Sequence, residues 1–229
     1  MAIYTFNVDL DEGGGALLPV DSGGDVLAVS TALGVFMPAP WTAKCALLDF
    51  GADVTPPMGG PAQRISRLGA RWQVTFSATP ALAAAAARGI QAARAKARAD
   101  ASTLVFLWPQ PTAALAIGGP TVSGAGQAGS LLTVGGLTPG ATIPAGTFFS
   151  FWSGGRNYLH ALTAAATADG SGAATLAIAP MLRVFPDATA ALNFSAPAIE
   201  GYVSGRTEDF LLTSRAWVGQ PAFTVTEVQ

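Results

Sequence analysis

This sequence is short of charge. Of its 229 residues only 11% are charged while 50% are hydrophobic, against a charged share of about 25% in an ordinary soluble domain. A charge-poor exterior is a solubility liability for a free subunit, and large exposed apolar area marks an interface, so a component of an assembly is expected. The net charge of −2 gives no field that would attract phosphate backbones. No cluster of Lys and Arg is interleaved with aromatics either, and nucleic acid is not expected as a partner. Cys45 is the only cysteine, which excludes an intramolecular disulfide and a cysteine-based zinc site and fits synthesis in the reducing cytoplasm. The apolar runs fall short of the roughly 18 residues that a membrane span needs. The opening MAIYTFNVDLDEGGG has neither a basic nor an apolar signal region, so no secretory signal is expected.

Acidic residues are missing altogether between Asp100 and Asp169, and that absence decides the one motif of apparent chemical meaning. Gly124-Ala125-Gly126-Gln127-Ala128-Gly129 spells G-x-G-x-x-G, the pattern that cradles a dinucleotide pyrophosphate where a strand turns into a helix. The residues that follow, Leu131 to Gly140, are interrupted by Gly135, Gly136, Pro139 and Gly140, so no helix opens there. With no acid about 20 positions on to hold a ribose, the glycines read as a turn between two strands, and no cofactor is expected.

The remaining patterns are mostly those of short strands. Ile3 to Leu10, Val26 to Val29 and Ala46 to Phe50 are β-prone runs among glycine clusters. Trp72, Val74 and Phe76 alternate with Arg71, Gln73 and Thr75 in a half-buried strand pattern, and Leu104 to Trp108 is a continuous β-prone run of the kind covered on both faces. Between them, Thr79-Pro80 gives an N-cap and a first-turn proline for an alanine-rich stretch to about Ala101, predicting one principal helix. Its packing face would carry Leu82, Ala86, Ile90, Ala93 and Ala97, with Arg88, Arg94, Lys96 and Arg98 spread over the solvated remainder.

Composition shifts after Pro111. Residues 112–198 carry only Arg156, Asp169, Arg183 and Asp187 as charges, and strand candidates at 131–134, 147–152, 158–162, 174–178 and 190–194 are separated by turn signals. This describes a small β-barrel or sandwich. Phe223 to Val228 alternates again and rejoins the first sheet, so the expected organisation is a base domain of 1–111 plus 199–229 with an inserted all-β module at 112–198. The expected fold class is mainly β with one principal helix, α+β.

No catalytic constellation emerges, and no catalytic, cofactor-binding or metal-binding residue is expected. His160 is the only histidine and has no nucleophile or carboxylate near it in sequence, so it reads as a strand-face residue. Asp9, Asp11 and Glu12 lack the spacing of a calcium loop. Glu208-Asp209 offers one side of a glycosidase carboxylate pair, a reading that needs a second carboxylate at a fixed separation. Phe148, Phe149, Phe151, Trp152 and Tyr158 raise a carbohydrate-binding face as the alternative function, against the more frequent use of such rings in a core.

The ordered series Gly59-Gly60-Pro61-Ala62-Gln63, Gly69-Ala70-Arg71-Trp72, Val122 to Gly129, Ile143 to Phe149, Asp169 to Leu176 and Pro180-Met181-Leu182-Arg183 resembles the distal tail and tail-tip proteins of long-tailed bacteriophages, over about residues 55–200. The resemblance implies a β-sandwich or split-barrel base with an inserted barrel. It also implies a structural, non-enzymatic virion protein assembled in the host cytoplasm. Its expected partners are copies of itself in a ring of six, the tail tube protein, and a hub, tip or fibre protein. The first 55 residues lie outside the resemblance, and no functional residue is carried over by it.

Overall fold

A computed structural model describes residues 41–55, 59–65, 69–78, 95, 99, 103–108, 110, 116–204 and 223–228. The protein is mainly β. Its first sheet has five antiparallel strands. At one edge β1 (Trp41–Leu48) pairs with β4 (Arg71–Ala78), and the sheet then continues through β15 (Phe223–Glu227) and β14 (Ala198–Ser204) to β5 (Leu104–Leu107). Between β1 and β4 a separate hairpin is formed by β2 (Ala52–Val54) and β3 (Gln63–Ile65).

The alternation that predicts β4 is realised as burial. Val74 and Phe76 are completely buried and sit opposite Val225 and Phe223 of β15, so one face of the sheet becomes a continuous apolar layer. Phe106, Trp108 and Ile199 complete that layer, and the rings of Phe76, Phe106 and Phe223 stand 5.3–5.6 Å apart. Stacking geometry of this kind adds about 0.5–1.5 kcal/mol per pair beyond area burial. On β14, Gly201 is required by space, because a Cβ there would run into the Thr226 carbonyl of β15.

The chain leaves this sheet after β5 and builds a second one before returning in β14. Its strand order is β13 (Leu192–Asn193), β9 (Phe148–Ser153), β10 (Arg156–Leu162), β12 (Ala174–Leu182), β7 (Gly129–Leu137) and β6 (Gly118–Val122). The ends of that order meet: Thr121 bridges Ala191, the Val122 N–H donates to the Ala190 carbonyl at 2.9 Å, and the Thr189 N–H donates to Val122 at 3.1 Å. A nearly closed barrel results, filled by Val122, Leu132, Val134, Ile143, Phe149, Phe151 and Leu176 among others. A short pair, β8 (Thr142–Ile143) and β11 (Ala166–Thr167), caps it.

The G-x-G-x-x-G run is the connection between β6 and β7, with Gly124, Gly126 and Gly129 all at positive φ. Gln127 braces it from inside. Its Nε2 donates to the Ser123 and Thr133 carbonyls at 2.8 and 2.9 Å, and its Oε1 accepts the Thr133 N–H at 2.6 Å. Replacing Gln127 by Ala is expected to cost about 1 kcal/mol, read as a lowered denaturant midpoint at unchanged slope.

The principal helix expected to about Ala101 is not borne out. Among the described residues only Ala95 and Ala99 are helical, both exposed. The rest of 79–101 lies outside the described residues, as do the runs at 3–10 and 26–29.

Candidate functional site

Three charged residues, Arg183, Glu200 and Glu227, meet at the seam between the two sheets, and β10 explains why. Its even residues face the barrel: Tyr158 lies opposite Phe151 and His160 opposite Phe149, and Tyr158 and Leu162 belong to the barrel core. Leu159 points the other way, fully buried among Val74, Phe76 and Val225 of the first sheet. Phe148 of β9 follows it and packs against Trp72 and Trp108 at 5.0 and 4.8 Å. One strand pair therefore serves two cores.

Two glutamates of the first sheet hold this shared strand. Glu200 of β14 accepts the Asn157 N–H at 2.8 Å and the Thr103 hydroxyl at 2.7 Å. Glu227 of β15 accepts the Leu159 N–H at 2.8 Å and the Trp72 N–H at 3.1 Å, and its carboxylate stands 2.6 Å from the Arg183 guanidinium. Both are buried, Glu227 to 1% exposure. Burial raises the Glu227 pKa above the ordinary glutamate value, opposed by Arg183 and by the two amides. Arg183 also donates to the Val228 carbonyl at 3.0 Å and lies over the Tyr158 ring. Gln110 joins the seam by accepting the Phe148 N–H and donating to the Phe194 carbonyl, both at 3.0 Å.

His160 is a core residue. Its ring stacks on Phe151 at an interplanar angle of 4° and donates from Nδ1 to the Pro180 carbonyl at 2.8 Å. Desolvation drives its pKa down to about 3, with the Arg183 charge adding to the fall and the Pro180 bond opposing it. It stays neutral at physiological pH and is walled off from any substrate.

The other residues singled out in the sequence are not brought together. Phe149, Phe151 and Tyr158 are buried in the barrel, and Phe148 is committed to the seam, so these rings form no exposed stacking face with Trp152. Asp9, Asp11, Glu12, Glu208 and Asp209 lie outside the described residues. Among the described residues no three His, Cys, Asp or Glu side chains gather as a metal centre would require, and no helix is long and apolar enough to cross a membrane.

What the surface does offer is apolar. Register places Ala52, Val54 and Ile65 on one face of the β2–β3 hairpin, whose six strand residues are all exposed. Val54 is 47% exposed, Ile65 42%, and nearby on the chain Leu47 and Phe50 are each 43%. An Asp49–Arg64 ion pair and the Arg71 guanidinium over the Phe50 ring tie the hairpin to β1 and β4. Among the described strands β1 is the last of its sheet, eight residues long, with Lys44 as its only charge and the free Cys45 exposed on it. Native edges of that length are ordinarily guarded by more charge, by proline or by a bulge.

Glu200 and Glu227 are marked by no sequence motif, and Arg183 enters only as the end of Pro180-Met181-Leu182-Arg183, with no role attached. The one available signal is phase: Glu227 falls in step with Phe223 and Val225, on the inward positions of its strand. Comparison with known proteins finds no matching family model and no matching curated protein.

Proposed function

We propose that this chain is a structural subunit of a phage tail tip, closing with identical copies into a ring that adapts the tail tube to a hub or fibre protein. The observation that carries the reading is the set of exposed apolar side chains Leu47, Phe50, Val54 and Ile65 along β1 and the β2–β3 hairpin, in a chain with few charges. An isolated two-stranded hairpin is marginal in water, and a long strand at the end of a sheet with a single charge is weakly guarded against pairing with another chain. A repeated heterologous contact through such an edge closes into a ring when the rotation between copies allows it. The ordered resemblance to distal tail proteins supplies the kind of ring and its neighbours. The polar seam is a fastening between the two sheets and has no part in turnover in this reading.

The test is the mass of the purified protein over a concentration series, with negative-stain imaging of any large species. A closed ring of six copies is expected, and Val54→Lys together with Leu47→Lys should shift it to monomer. A chain that stays monomeric at high concentration, both alone and on addition of tail tubes, would defeat the reading.

A further inference from the structure

The polar groups of the seam do not all find partners inside the protein, and those left over are donors. Arg183 gives Nη1 to the Val228 carbonyl and faces Glu227 at 2.6 Å, but its Nε is enclosed with no acceptor. Its side chain is only 6% exposed, so bulk water does not solvate that group. Arg156 has its Nη1 in the same condition, and no ion pair among the described residues joins it. The two seam glutamates are already engaged: each of their oxygens accepts a strand amide or the Thr103 hydroxyl, and Glu227 faces Arg183 besides. An enclosed donor without an acceptor is costly, the more so when it is charged, and native proteins satisfy such groups.

The two guanidiniums converge on one ring. Arg156 and Tyr158 are two apart on β10 and so share a side of the strand. Arg183 lies over the Tyr158 ring at 5.5 Å. Both cations act on the phenol: burial raises its pKa, and Arg183 and Arg156 pull it back. The chain closes round the same corner, since Ser153, opposite Arg156 in the β9–β10 ladder, donates to the Phe185 carbonyl two residues beyond Arg183, at 3.4 Å. The Tyr158 hydroxyl, with no hydrogen bond to a described residue, is a third donor there. Arg156 is half-buried where Arg183 is enclosed, so the corner opens to solvent on the Arg156 side.

We propose that Arg156, Arg183 and Tyr158 form a binding site for a small oxyanion of the phosphate or sulfate kind. Charged oxygens match guanidinium donors better than water does, because water supplies an acceptor but no countercharge to Arg156. Arg156 and Arg183 balance Glu200 and Glu227 in charge, so no long-range field gathers the ligand and recognition is by contact. Two or three charge-assisted hydrogen bonds then place the affinity at roughly 1 mM. The bound anion ties the β9–β10 turn to the chain around Arg183. The site stands independently of the ring.

The experiment titrates the full chain with inorganic phosphate at constant ionic strength, read by phosphorus NMR line width and by the thermal midpoint. Binding should saturate at one ion per chain, with a midpoint that climbs as the site fills. Arg156→Gln should weaken it by about tenfold or more, through loss of the charged donor. Tyr158→Phe keeps the ring stacked on Phe151 and should weaken it by about threefold; this variant serves if the arginine change does not fold. A midpoint that rises without saturating, and rises equally in Arg156→Gln, is the general salting effect of phosphate and overturns the proposal. Saturable binding that neither variant weakens also overturns it, as an adventitious ion only. So does the absence of binding at about fifty times the expected affinity.

Discussion

Arg183→Leu is expected to lower the unfolding free energy by about 3–5 kcal/mol, the cost of leaving a buried partner charge uncompensated. The size follows from how completely the pair is enclosed. The Arg183 side chain is 6% exposed and that of Glu227 is 1% exposed, with 2.6 Å between them. Glu227 would keep the amides of Leu159 and Trp72, but two neutral donors do not offset the lost cation, and the carboxyl would be driven further toward its protonated form. That fixes a sign. A carboxyl whose folded pKa is raised contributes stability that is present below its ordinary value and lost as pH rises through the folded value. The deficit of Arg183→Leu should therefore be larger at pH 8 than at pH 5. Replacing both partners, Arg183→Leu with Glu227→Leu, should cost less than the single change, because no orphaned charge remains. Denaturant unfolding of the four proteins of the cycle measures the coupling directly. Additive single effects would show that the ion pair contributes nothing beyond its two side chains.

The same pair shows why part of the structure was legible in the sequence and part was not. Trp72, Val74 and Phe76 announce β4, and Phe223 and Val225 announce β15, because period-two burial against one sheet face is a local pattern. The barrel strands β7, β9, β10, β12 and β13 are readable as β-prone runs with glycine turns between them, whereas β6, whose Gly118-Gly119-Pro120 opening reads as a turn, is not. The strand β14 is not: Ala198–Ser204 contains Glu200 and Gly201, which break an apolar pattern, and both owe their places to other strands. Gly201 answers to the Thr226 carbonyl, and Glu200 to the amide of Asn157. Arg183 stands out in the sequence as one of four charges across 112–198, yet nothing local says that its partner lies 44 residues further on. His160 reads correctly as a strand residue, but its enclosure between Phe149 and Phe151 depends on which β9 residues come opposite. Charges and small residues at a seam are specified by tertiary distance, on which a single sequence is silent.

Acid should destabilise the protein through His160, by about 1.4 kcal/mol for each pH unit below the ordinary histidine value. Its folded pKa lies near 3 against 6.5 for the free side chain, so the unfolded chain binds a proton across that window and the native state does not. A depressed value of this kind contributes stability that is fully present above pH 6.5 and is lost as pH falls toward 3, about 2–3 kcal/mol of it by pH 4.5. Glu227, with its raised value, contributes in the opposite sense, so the slope of the native protein alone mixes the two. Comparison with His160→Phe separates them. Phenylalanine keeps the stack on Phe149 and Phe151 but cannot titrate, and it leaves the Pro180 carbonyl without its donor at a cost of about 1–3 kcal/mol that does not vary with pH. At pH 7.5 the variant should be the less stable protein. As pH falls the gap should close by the histidine term, and near pH 4.5 the two should be close to equal or reversed in order. Denaturant unfolding at pH 7.5, 6.5, 5.5 and 4.5 supplies the difference curve. Parallel curves would mean that His160 gains a proton as readily in the native protein as in the unfolded chain, which a ring closed between two phenylalanines does not allow.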